Sequence, residues 1–147
     1  MKKEVKISNK AVLYARASSD RQEKEGFSIP AQIKFLKEYA NDSDLRIVRR
    51  FTEAETAKKS GRTEFNNMLD FLKHNNDVKI VLVEKTDRLY RNFKDYVILE
   101  EYDLEVHLVK ENQVLSKDSR SNEKFIHGIK VLMAVKNYST PSNPKPN

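Results

Sequence analysis

At 147 residues the chain is long enough for one domain with a hydrophobic core and too short for two. Lys and Arg number 28 against 22 Asp and Glu, and the formal net charge of +6 favours a polyanionic partner such as nucleic acid. Cysteine is absent, which excludes disulfides, thiolate zinc sites and cysteine nucleophiles, and His74, His107 and His127 are too widely spaced for a short metal motif.

Met1-Lys2-Lys3-Glu4-Val5-Lys6 has no apolar run behind its charges, and no stretch approaches the roughly 18 apolar residues of a membrane span, so a soluble cytoplasmic protein is expected. Ala11 to Ala15 predicts a first strand that runs out through Arg16, Ser18 and Gln22. Its period of two puts Tyr14, Arg16 and Ser18 on one side. Ser19-Asp20-Arg21-Gln22 has the form of a Ser-x-x-Gln capping box, so Ser19 has a local task as a helix start and Ser18 is the freer hydroxyl. Ile33, Phe35, Leu36 and Tyr39 mark a helix, and Leu45 to Phe51 a second strand.

Lys59-Ser60-Gly61-Arg62-Thr63-Glu64-Phe65 is a loop that enters a helix marked by Phe65, Met68, Leu69 and Leu72, with Arg62 at its mouth. A third strand, Val78 to Val83, leads into Lys85-Thr86-Asp87-Arg88-Leu89-Tyr90-Arg91, where a helical turn would align Arg88 and Arg91. Tyr96, Val97, Ile98 and Leu99 mark another helix and Leu104 to Val109 a fourth strand. The alternation is that of βαβ units with a mostly parallel sheet.

A long helix is predicted from Ser121 to about Tyr138, with an apolar arc of Phe125, Ile126, Ile129, Val131, Leu132, Met133 and Val135. Either it is buried between other elements or it is a subunit interface. Pro141, Pro144 and Pro146 make 139–147 an expected disordered tail behind a domain of 1–138.

Each cationic cluster alone reads as a solvated face. Together they converge on the carboxyl edge of one sheet beside a serine, where open α/β sheets bind ligands. Guanidiniums around a hydroxyl suit attack on phosphate, because paired planar donors match the spread charge of the transition state. With Gly only at Gly26, Gly61 and Gly128 and no Gly-Lys-Ser/Thr triplet, nucleotide hydrolysis lacks its phosphate loop, so the phosphate must belong to something like a nucleic-acid backbone.

These segments resemble the catalytic domain of the serine recombinases, the resolvase/invertase family with its large integrases and transposon recombinases. The resemblance covers roughly Lys10 to Tyr138. Tyr14-Ala15-Arg16-Ala17-Ser18, Gln22 and Ser28-Ile29-Pro30-Ala31-Gln32 match the first motif, Ser60-Gly61-Arg62 with Phe65-x-x-Met68-Leu69 the second, and Lys85-Thr86-Asp87-Arg88-Leu89-Tyr90-Arg91 the third. Ala17 replaces the usual Val and Thr63 a frequent Pro.

The resemblance implies a three-layer α/β/α domain with a mostly parallel sheet of four to five strands and a long C-terminal helix. It implies Ser18 as the nucleophile that forms a transient 5′-phosphoserine link, followed by strand exchange and religation with neither metal nor small-molecule cofactor. Arg16, Arg62, Arg88 and Arg91 would clamp the phosphate, and Asp87 would orient an arginine or take part in proton transfer. Tyr14, Gln22 and Lys85 would support the site. DNA and other copies of the chain are the implied partners, a dimer through the helix near 121–138 and a tetramer in synapsis, with no membrane involved. Relatives continue into a separate DNA-binding region and this chain does not, so it is expected to be a catalytic domain only. The competing reading is a non-catalytic DNA-binding or assembly module in which the same arginines hold backbone phosphate.

Overall fold

The computed structural model describes residues 8–18, 27–55, 63–117 and 121–139, with side chains of 124–134 in the last span. Five strands form one sheet: β1 Lys10–Ser18, β2 Arg46–Glu55, β3 Ile80–Val83, β4 Glu105–Leu108 and β5 Gln113–Leu115, in the order β2-β1-β3-β4-β5. The first four pair in parallel and β5 returns antiparallel to β4. The helices are α1 Ile29–Asp42, α2 Thr63–His74, α3 Thr86–Leu89, α4 Phe93–Glu100 and α5 Ser121–Ser139.

A parallel strand covered on both faces must be apolar almost throughout. β1 is, with Ala11 to Ala15 at 1% exposure or less. Its alternation sorts the core into two clusters. Leu13 and Ala15 pack with Leu36 and Ala40 of α1, while Val12 and Tyr14 pack with Phe65, Met68 and Leu72 of α2 and with Leu89, Leu99 and Val131 of α3 to α5. The result is the three-layer α/β/α domain with a mostly parallel sheet that the sequence implied. Ser28 caps α1, its Oγ accepting from Ala31 N at 3.3 Å.

The observed strands differ from the expected ones chiefly in two places, and β3 begins at Ile80 rather than Val78. β2 runs four residues past Phe51, because Glu53 and Glu55 find buried partners. β5 follows a turn at Asn112 (φ 57°), a left-handed conformation that asparagine tolerates. Among the described residues no helix is long and apolar enough to cross a membrane.

The chain passes from β1 to β2 on one side and later to β3 on the other, so the strand order reverses between β1 and β3. A crevice opens at such a point beyond the carboxyl ends of the strands. β3 pairs with β1 only from Ala11 to Leu13, so the last residues of β1 stand beyond its ladder. There the Gln32 carboxamide replaces a strand: its Nε2 donates to Arg16 O at 3.0 Å and its Oε1 accepts from Arg16 N at 3.2 Å.

Candidate active site

Arg16 lies in this crevice but is almost wholly buried, 3% exposed. Its Nη1 donates to Glu55 Oε2 at 2.6 Å, its Nε to Arg88 O at 3.2 Å, and its Nη2 to the carbonyls of Asp87 and Tyr90. One guanidinium thus fastens the single turn of α3 to the end of β1. Ser18 follows two residues later on the same side of β1, half-buried, with Glu55 as its ladder partner on β2.

Arg88 and Arg91 both reach the crevice but do not act as a matched pair. Arg88 leans back within α3, its Nε 3.3 Å from Glu84 Oε1. Arg91 lies beyond the helix, its Nε 3.2 Å from the same Glu55 oxygen that binds Arg16. Its backbone N–H donates to Asp95 Oδ2 at 2.7 Å, an acceptor fixed at the start of α4. Asp87 is the exposed member of the group, with Lys85 Nζ 4.0 Å from its Oδ1. Gln22, Arg62 and the Ser19 capping box lie outside the described residues.

Tyr14 sits one layer deeper. Its hydroxyl donates to Glu53 Oε1 at 3.3 Å, and burial pushes its pKa well above the ordinary tyrosine value, so it stays a neutral donor. Glu53 also accepts the backbone N–H groups of Glu64 and Phe65, at 3.2 and 3.0 Å, where its charge suits the positive end of α2.

The buried acids are what the sequence did not announce. Glu53, Glu55, Glu84 and Asp95 are all at most 8% exposed. Glu84 is fully buried: beside Arg88 it accepts from Phe27 N at 3.3 Å and Lys110 Nζ at 3.2 Å. One signal was available, since Glu53 and Glu55 keep the period of two of Tyr14, Arg16 and Ser18 on the adjacent strand. Pairing of cations with buried carboxylates offsets the large desolvation cost of each.

The arginine turn also touches α5. Tyr90, adjacent to Arg91, packs edge-on against Tyr96 and His127, with its hydroxyl 3.3 Å from His127 Nε2. Burial first, then the charge of Lys130, lowers the His127 pKa to about 4. Of the two alternatives for this helix, burial against the domain applies to one side only. His127 and Val131 are buried against the domain, whereas Phe125, Ile126, Ile129, Leu132 and Met133 are 40–68% exposed.

Compared with known proteins, residues 11–137 match the family model described as the resolvase N-terminal domain. A resolvase family site-specific recombinase from Streptococcus pneumoniae is similar at 30% identity and TM-score 0.66, over 82% of this chain and 85% of that one. The N-terminal catalytic domain of TP901-1 integrase is similar at 26% identity and TM-score 0.60, over 88% and 95%. The C-terminal catalytic domain of ISC1926 TnpA, an IS607-like serine recombinase, is 19% identical with a TM-score of 0.50 and shares the fold. No curated protein matches the chain.

Proposed function

The chain belongs to the resolvase family of site-specific recombinases, as a domain of the catalytic type, and from that premise we propose that it cuts and rejoins DNA with Ser18 as nucleophile. The observation that carries this reading is the gathering of Ser18, Arg16, Asp87, Arg88 and Arg91 at the crevice between β1 and β3.

In the proposed reaction Ser18 Oγ attacks a backbone phosphorus, its proton passing to a base for which Asp87 is the exposed candidate. The new bond joins the 5′-phosphate to Ser18, the P–O3′ bond breaks, and the 3′-oxygen leaves as a hydroxyl, the proton taken from Ser18 being balanced by the one delivered to it. Attack by a 3′-hydroxyl on the phosphoserine runs the step backwards and restores a phosphodiester, so the bond energy is kept within the reaction. Arg62, Arg88 and Arg91 supply donors to the transition-state oxygens, while Arg16 holds the α3 turn in place and presents its charge beneath them. Tyr14, Gln22 and Lys85 support the site. The exposed face of α5 serves association into the dimer and the synaptic tetramer, residues 1–138 act as the catalytic unit, and the setting is cytoplasmic.

The test uses duplexes taken from the DNA flanking the coding sequence, incubated with the chain and stopped with denaturant. A DNA adduct that maps to Ser18, disappears in Ser18→Ala and persists in Ser19→Ala is the expected result. An adduct that survives Ser18→Ala, or phosphate-dependent DNA binding that never becomes covalent, overturns the assignment and leaves a DNA-holding module. Arg88→Lys and Arg91→Lys keep the charge but lose the paired planar donors, so cleavage should slow by at least about tenfold.

A further inference from the structure

Arg16 and Arg91 approach one carboxylate oxygen of Glu55 in different ways. Arg16 is bonded to it at 2.6 Å and is tied by three further contacts to backbone carbonyls, so moving its side chain would orphan all of them. Arg91 Nε lies 3.2 Å from the same oxygen, yet this buried N–H makes no hydrogen bond among the described residues. Its backbone is fixed by Asp95, while the contact found for its side chain among the described residues is this ion pair. A buried donor without an acceptor costs free energy that an incoming oxygen restores.

We propose that Glu55 parks Arg91 in the DNA-free site and that a backbone phosphate draws Arg91 away from it, so that Glu55 sets how tightly the crevice takes phosphate. This rests on the reading of the crevice as a phosphate site. Three observations support it besides the contacts themselves. The ladder pairs Glu55 with Ser18, which puts the carboxylate beside the attacking residue. Among the described residues two guanidiniums face this one carboxylate, so a phosphate anion that takes up one of them leaves the other paired. Arg88, by contrast, is engaged by Glu84, whose other oxygen binds Phe27 N and Lys110. Glu55 is therefore a positioning residue that competes with substrate: it steadies Arg91 before binding and yields it on binding.

The experiment titrates inorganic phosphate into the full chain and follows the arginine Nε–H resonances by NMR. In the wild type, phosphate should shift Arg91 and leave Arg16 in place. In Glu55→Gln, which keeps an acceptor for Arg16 but removes the competing charge, phosphate should bind about tenfold more tightly. Equal or weaker binding by a folded Glu55→Gln chain overturns the proposal, as does a phosphate-induced shift of Arg16 with Arg91 unmoved. Should Glu55→Gln fail to fold, the wild-type titration decides alone, because an unmoved Arg91 at saturating phosphate is incompatible with the exchange. A chain that forms no Ser18 adduct but shows both phosphate effects defeats the recombinase chemistry and keeps the role of Glu55. An intact adduct without the phosphate effects does the reverse.

Discussion

The crevice at the end of β1 and the outward face of α5 both invert the usual distribution of residues, in opposite senses. The crevice buries charge, with Glu84 at 0% and Arg16 at 3% exposure, and the helix exposes Phe125 at 68% and Met133 at 59%. In the crevice most charged groups are matched by neighbours on other elements, so the inversion is compatible with a stable fold. On α5 the apolar side chains have no cover among the described residues, so the inversion leaves apolar surface against water. The first is an organised site and the second an unfinished surface, and they meet where His127 packs on Tyr90 beside Arg91.

The difference between matched and unmatched groups is largest within the crevice itself. Arg16→Gln leaves the Glu55 carboxylate buried without its closest partner and releases the α3 turn, and should destabilise the fold by about 3–5 kcal/mol. Arg91→Gln removes a side chain that is 29% exposed and donates no Nε bond among the described residues, and should cost less than about 1 kcal/mol. Urea unfolding of the two variants gives the comparison directly. Equal losses would mean that Arg91 is as structural as Arg16 and would break the distinction.

That distinction was not legible in the sequence, although much around it was. Strand alternation placed Tyr14, Arg16 and Ser18 together correctly, because β1 is buried on both faces and its pattern is local. The tasks of the arginines depend on Glu55 and Glu84, which are 39 residues from Arg16 and four from Arg88 respectively. Glu53 and Glu55 keep a period of two, but Thr52-Glu53-Ala54-Glu55 by itself does not separate a buried strand end from a polar loop, so the expected β2 stops short of the observed one. β5 escaped because three residues, Gln113-Val114-Leu115, carry no period and depend on β4 for their pairing. Gln32 stood in the family-like motif, but its role as a strand substitute appears only once β3 is seen to stop pairing at Leu13.

The junction between the two regions gives a pH-dependent prediction. The folded pKa of His127, about 4, lies below the unfolded value near 6.5, so the unfolded chain binds the extra proton between these limits. This contribution is fully present above pH 6.5, is lost as the pH falls to about 4, and is constant below that. Its size is on the order of 3 kcal/mol from the separation of the two values. His127→Phe keeps an aromatic ring against Tyr90 and Tyr96 and should flatten that part of the stability profile, measured by urea unfolding between pH 4 and 7 relative to wild type. An unchanged slope would show that His127 is not held neutral by its contacts and that α5 is less firmly seated on the arginine turn.

The outward face of α5 should respond least in stability and most in association. Ile129 and Met133, 40% and 59% exposed, lie on the side opposite Val131, which is fully buried. Replacing both exposed residues by Asp removes apolar surface from water and touches no core contact, so the change in unfolding free energy should stay within about 0.5 kcal/mol per site. Self-association is a different matter, because burying such a face is favourable by about 25 cal/mol for each Å² of apolar surface covered. Sedimentation over a range of concentrations should show the wild type moving toward dimer and the Ile129→Asp, Met133→Asp variant remaining monomeric. Val131→Asp is the contrast, since a charge on the inward side should unfold the docked helix. A wild type that stays monomeric at high concentration refutes the interface, and a double variant that unfolds shows that the face is covered by the domain itself.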